Sequence, residues 1–278
     1  MKTEALQSIA SSPAKSDLPP GIVFTGERVV PGTTPENIFR ESEMRYVFAG
    51  QFVRNRSVID VASGTGIGTQ YLMKAGARSC YGFDMNMESL LYAISAYSDR
   101  GCRFGACDAA RLAVASSSVD VIVSFETIEH LPDPSVFLRE CHRALRRDGF
   151  FICSTPDRNF FRWGPANPFH ASEMTRVEFL GRVREFFPNC QLYCQGSVNY
   201  VRYIAEMIAR ERIVPILEKL GVKDFLKYLL GPRPGTICNE TEFSINDGLG
   251  APYEVKPYNR QWLSRSPYFV VVAQKAAE

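Results

Sequence analysis

The sequence predicts an α/β fold, a mostly parallel sheet with helices on both faces. Short runs rich in β-branched and aromatic residues recur at 57–62, 79–84, 102–107 and 119–125, and helical periodicity fills 67–75 and 87–97 between them. At that spacing each helix crosses back over the sheet and sets the next strand parallel to the last. The first strand (Val58, Ile59, Val61) also ends in a small-residue loop, Ala62-Ser63-Gly64-Thr65-Gly66, from which a helix starts. Glycines there let the backbone approach a ligand closely, and the helix N-terminus behind them offers unpaired N–H groups. Ligands of such sheets bind at the carboxyl ends of the strands.

Residues 1–20 are rich in Ser, Ala and Pro without periodicity and are expected to be a disordered tail. Gly26, Pro31, Gly32 and Pro35 mark an irregular lead-in, and apolar residues from Ile38 to Phe52 then recur at helical spacing. After the fourth strand, Asp133 is placed to cap a helix with Pro134 at its first position. That helix is expected to run to Asp148-Gly149, with the glycine as its left-handed C-cap. Strand five is expected at 150–154, a helix capped by Ser172 or Thr175 up to Phe187, strand six at 191–194 and a final strand at 268–273. About 70 residues separate those last two strands. Val201, Ile204, Ala205 and Ile208, then Ile216, Leu217 and Leu220, then Phe225, Leu226, Leu229 and Leu230 predict amphipathic helices, with 231–266 irregular. The domain plan is therefore a tail (1–20), a lead-in and helix (21–56), a core (57–197 and 267–278) and an inserted cap (198–266).

With 32 basic and 30 acidic residues, the chain lacks the bulk positive charge of a nucleic-acid binder, and none is expected as partner. No run approaches 18 apolar residues, so neither a transmembrane segment nor an export signal is expected. Several of the eight cysteines fall on predicted strands as small apolar groups, which points to a reduced, cytoplasmic protein. Neither Cys102/Cys107 nor Cys190/Cys194 has a second pair or a histidine at zinc spacing, and no metal site is expected.

Three predicted strands carry an acid at or near their carboxyl ends. Asp60 precedes the glycines by four residues, Asp84 ends the second strand and Asp108 follows the third. Asp84, 20 residues beyond Gly64, is placed to accept from ribose hydroxyls, and Asp108 to receive an exocyclic amine. A dinucleotide fingerprint needs G-x-G-x-x-G, whereas Gly64-x-Gly66-x-Gly68 is one residue short, which disfavours a nucleotide-dependent dehydrogenase.

In this order of acids and glycines the sequence resembles the class I S-adenosylmethionine-dependent methyltransferases. The stretches Gly26–Pro31, Arg45–Ala49, Ser154–Asp157 and Asn167–His170 resemble bacterial glycan- and sugar-modifying members, although asparagine is more usual at position 157. The resemblance implies a Rossmann-like methyltransferase sheet whose last strand is antiparallel, with the helical cap as an insertion. It implies S-adenosyl-L-methionine as cofactor, with Arg45 and Tyr46 at its methionine end. Ala62, Ser63, Gly64, Thr65 and Gly66 would form the loop beneath it, and Asp60 would hold that loop or meet the methionine ammonium. Asp84 would meet the ribose, Met85, Asp108 and Ala109 the adenine, and Phe125 the floor.

The stretch Phe125 to Leu131 then lies between cofactor and acceptor. His130 and His170, on loops at the carboxyl edge, are the candidate catalytic bases, with Glu126 next, while His142 falls inside a helix. The expected reaction is methyl transfer to a hydroxyl, or less favourably an amine, of a sugar, glycan or other small polar acceptor. A quinone or natural-product phenol is the alternative acceptor, and a non-catalytic S-adenosylmethionine-binding module a further one. The inserted helices suit a lid or a homodimer surface. Glu206, Glu211, Glu218 and Asp224 among their basic residues are unlike a uniformly basic membrane face.

Overall fold

The computed structural model describes residues 22–24, 26, 28–161, 167–196, 198–199, 253–259 and 264–276. The tail at 1–20 and all of the predicted inserted helices (201–230) lie outside these. Helix α1 (Glu36–Ala49) precedes β1 (Ser57–Val61). Then follow α2 (Ile67–Lys74), β2 (Ser79–Asp84), α3 (Met87–Tyr97), β3 (Cys102–Ala106), β4 (Val119–Ser124), α4 (Pro134–Ala144) and β5 (Leu145–Pro156). After a short helical turn, α5 (Arg158–Phe161), come α6 (Arg176–Phe186) and β6 (Asn189–Gln195). Val198–Asn199 (β7) pairs with Ser264–Arg265 (β9), while Val255–Pro257 (β8) and Tyr268–Gln274 (β10) join the main sheet.

The main sheet runs β3-β2-β1-β4-β5-β10-β6-β8. Strands β1 to β5 are parallel, and β10 lies antiparallel between β5 and β6. This is the Rossmann-like methyltransferase sheet that the sequence predicts. Because side chains alternate along a strand, each central strand feeds two cores. Ile59, Val61, Ile122, Phe151, Cys153, Phe269 and Val271 meet α4 and α6 on one face through Phe137, Leu138, Phe179 and Val183. Val58, Val121, Val123, Ile152, Val270 and Val272 meet α1 and α2 on the other through Tyr46, Phe48, Ala49 and Leu72. Among the described residues all seven cysteines are free thiols, four of them buried.

Two boundaries depart from the expectations, and one open choice, the cap of α6, is resolved in favour of Thr175. Helix α4 stops at Ala144, and β5 begins at once with Leu145 opposite Val119, then shifts register before Val121 meets Phe150. The left-handed residue in that irregularity is Asp148 (φ 60°), not Gly149. Gly149 is needed for space, since a Cβ there would lie 2.9 Å from the Arg146 carbonyl oxygen. Helix α6 starts after Thr175, whose hydroxyl and the Glu178 carboxylate form a reciprocal capping box, while Ser172 is engaged elsewhere. Part of the segment predicted as irregular, 255–257, forms an eighth strand on the sheet edge, paired with β6.

Candidate active site

At the carboxyl ends of β1, β2 and β4 lies a cavity of about 440 Å³, within the range of small-molecule sites. One end is the glycine loop. Gly66 (φ 79°) is the left-handed residue from which α2 starts, and a Cβ there would come within 2.7 Å of Ala93 and Phe104. Gly68, the second residue of the helix, faces the Tyr46 ring so closely that a Cβ would sit 1.9 Å from it. The third glycine of this loop therefore packs α2 against α1.

Asp84 reaches back from β2. One carboxylate oxygen accepts from the Gly64 N–H (2.7 Å) and the other from the Asn86 N–H (2.8 Å). Its two remaining lone-pair sites are left for a ligand's hydroxyls. The lead-in clamps the same end: Arg28 donates to Asn86 Oδ1 and Ser89 Oγ, and Thr65 Oγ1 donates to the Val29 carbonyl.

Helix α1 forms a side wall with Ile38, Glu41, Ser42, Arg45 and Tyr46, one stripe at helical spacing. Arg45 is 5% exposed, donates to Gln195 Oε1 at 2.8 Å and lies over the Tyr268 ring. Its Nε is buried without a hydrogen-bond partner among the described residues. Burial pushes the nearby Glu41 carboxyl up to about 7, partly countered by Arg45. Glu126 stands 4.0 Å from Arg45 and holds a left-handed backbone (φ 50°), strain of the kind that gathers at functional sites. Its carboxylate accepts from the Ser154 hydroxyl, whose oxygen accepts from the Glu126 N–H.

At the opposite end, the single turn Ile128–His130 faces the loop 167–175. Ser172 staples them, its N–H donating to the Glu129 carbonyl (2.8 Å) and its hydroxyl to the Leu131 carbonyl (2.8 Å). His130 and His170 meet edge to face with ring centres 4.9 Å apart. His142 lies on α4 against Phe187, away from this cavity.

Of the predicted site residues, Arg45, Tyr46, Ala62, Ser63, Gly64, Thr65, Asp84, Met85, Ala109, Phe125, Glu126, His130 and His170 border the cavity. Asp60, Gly66 and Asp108 do not. Asp60 is fully buried beneath the loop, where it accepts from Thr69 Oγ1 (2.7 Å) and Tyr46 OH (3.2 Å). Burial pushes its carboxyl up to about 7, against the pull of those two hydrogen bonds. Asp108 is exposed and accepts from the Ala110 N–H in its own turn. Arg28, Glu41, Gln195 and Tyr268 went unpredicted. A signal existed for Glu41, since the α1 stripe that carries Tyr46 carries two charged residues where a purely structural helix would bury apolar ones.

Five parallel strands in this order, with an antiparallel strand inserted between β5 and β6 and a cavity over the glycine loop, are the features of the Rossmann-like methyltransferase fold. Residues 59–153 match the family described as a methyltransferase domain. A Mycolicibacterium smegmatis protein named "probable S-adenosylmethionine-dependent methyltransferase" is 36% identical over 165 residues, covering 58% of this chain and 63% of that protein. A ubiquinone biosynthesis O-methyltransferase of Neisseria meningitidis serogroup C is 30% identical over 118 residues, 41% of this chain and 50% of that one. The chain thus spans less than two thirds of either relative. The crystal structure of YcgJ from Bacillus subtilis superposes with a TM-score of 0.54 at 15% identity, covering 85% of this chain and all of that one, a likeness of fold. No helix of the described residues is long and apolar enough to cross a membrane.

Proposed function

We propose that this protein transfers a methyl group from S-adenosyl-L-methionine to a hydroxyl of a small polar acceptor such as a sugar or glycan. The observation that carries the reading is a single cavity bordered at one end by the Asp84 carboxylate and the glycine loop, and at the other by Glu126, His130 and His170. The residues present fit the cofactor. Arg45 Nε is a buried donor still to be satisfied, suited to the methionine carboxylate. Asp84 has lone pairs free for the ribose, and Met85 and Ala109 flank the adenine side. When bound, S-adenosylmethionine supplies an electrophilic sulfonium methyl.

The protein's own contribution is alignment and proton removal. Tyr46, Asp60 and Thr69 fix the loop from below, so that the acceptor oxygen meets a prepositioned methyl carbon, and such positioning can supply much of the rate. Bound S-adenosylmethionine would give up this methyl to the acceptor oxygen and would keep the carbon–sulfur electron pair. The hydroxyl proton leaves at the Glu126/His130/His170 end.

The second reading is methylation of a quinone or phenol. The neisserial relative's name and the apolar Phe125, Leu131, Pro168 and Phe169 along the same end favour it. Mass spectrometry of reactions with a panel of sugars and a panel of phenols decides between them. Methylated sugar supports the first reading, methylated phenol the second, and cofactor binding without transfer to either favours a binding module.

A further inference from the structure

We propose that Glu129, His130 and His170 form a binding site for a borderline first-row divalent cation, Zn²⁺, Co²⁺, Mn²⁺ or Fe²⁺, at the acceptor end of the cavity. The sequence predicts no metal site, because Glu129 and His130 are adjacent, His170 lies 40 residues further on and none is a cysteine. The fold brings one ligand atom of each residue within 4.8 Å of the others.

The second layer of contacts is what a metal site requires. Metal-bound histidines donate their other ring N–H to a carbonyl or carboxylate, which fixes the tautomer and aims the lone pair. His130 Nδ1 lies 3.0 Å from the Phe169 carbonyl oxygen, so that Nδ1 carries the proton and Nε2 the lone pair. His170 Nδ1 lies 2.9 Å from the Glu173 carboxylate. The Asn167 amide accepts from the Phe169 N–H through Oδ1 and therefore presents Nδ2 to His170 Nε2 at 3.0 Å, which again leaves the lone pair on Nε2. A cation takes the lone pair that Asn167 now occupies. Glu129, 1% exposed, is oriented by the Thr155 hydroxyl at 3.2 Å. Two imidazoles and one carboxylate suit Zn²⁺, Co²⁺, Mn²⁺ or Fe²⁺, whereas Mg²⁺ and Ca²⁺ prefer all-oxygen sites.

All three residues border the cavity, so the cation's remaining positions face the acceptor. A coordinated acceptor hydroxyl loses its proton to water far more readily than a free one, and the alkoxide left behind is the nucleophile. This role rests on the methyl-transfer reading, but cation binding does not.

The test uses the untagged full chain stripped with chelator and then titrated with Co²⁺ by calorimetry, and loaded with Cu²⁺ for pulsed electron paramagnetic resonance. The expected results are one equivalent of Co²⁺, displaced by Zn²⁺ but not by Mg²⁺, and coupling to two imidazole nitrogens. Affinity should fall at least about tenfold in His130→Asn, His170→Asn and Glu173→Gln, as removing ligands or their orienting partners does, and stay unchanged in His142→Asn. Each variant is checked for folding by its S-adenosylmethionine affinity. No stoichiometric uptake by the wild-type protein overturns the site, as does a spectrum without two coupled imidazoles or uptake unaltered in a folded His130→Asn/His170→Asn variant. S-adenosylmethionine binding without Co²⁺ binding would leave methyl transfer standing and remove the metal. The converse would remove methyl transfer and keep the metal.

Discussion

Replacing Asp60 with asparagine tests whether this acid supports the loop or meets the ligand. In the fold its carboxyl is pushed from 3.8 up to about 7, burial being the main cause. Between those values the folded protein holds a proton that the unfolded chain has lost, so stability falls as the pH rises through the window. At about 1.4 kcal/mol per pH unit, the wild-type protein should lose about 2 to 3 kcal/mol from this one group between pH 5 and pH 8. Asparagine can still accept from Thr69 and Tyr46 and has no charge to lose. The stability difference should therefore move toward Asp60→Asn by about that amount from pH 5 to pH 8, measured by urea unfolding at each pH. S-adenosylmethionine affinity should stay within a few-fold. A pH-independent difference would show that Asp60 is ionised at no cost in the fold, and a large loss of affinity would put it in contact with the ligand.

Asp84→Ala should weaken S-adenosylmethionine binding by about 1 to 3 kcal/mol in calorimetry, since it removes the ribose acceptor and releases the Gly64 N–H. An unchanged dissociation constant in a folded variant would mean the second acid is misassigned. Gly68→Ala should destabilise the fold by about 1 to 3 kcal/mol, because its methyl collides with the Tyr46 ring, and thermal unfolding with and without Tyr46→Leu would show whether relief of that collision restores stability. His130→Ala and His170→Ala should each cut turnover on a hydroxyl acceptor by about 10²- to 10⁴-fold with cofactor affinity nearly unchanged. Loss of turnover in His142→Ala alone would place the reacting end elsewhere.

Where the physics is local, the sequence was readable. The β-branched runs, the glycine loop and Asp84 lie within a few residues of what they shape, and the parallel direction of the first strands followed from alternation with helices. The end of α4 was misread because Asp148 and Gly149 look like a helix cap. What decides their conformation is the close pass of Gly149 over the Asp120 carbonyl on a neighbouring strand. Whether Asp60 holds the loop or meets the cofactor stayed open because its position in the strand shows no sign that Tyr46 and Thr69 close over it. Gln195 and Tyr268 reach Arg45 only because β10 inserts between β5 and β6, a pairing across more than a hundred residues of chain. Glu129, His130 and His170 converge through the Ser172 staple, which no periodicity reveals.

The most direct test of the central claim is calorimetry of the wild-type protein with S-adenosylmethionine, its demethylated product and NAD⁺. The cavity over the glycine loop, with Asp84 and the unsatisfied Arg45 Nε along it, predicts one site for each of the first two and none for NAD⁺. Binding of NAD⁺ with no binding of S-adenosylmethionine would contradict it.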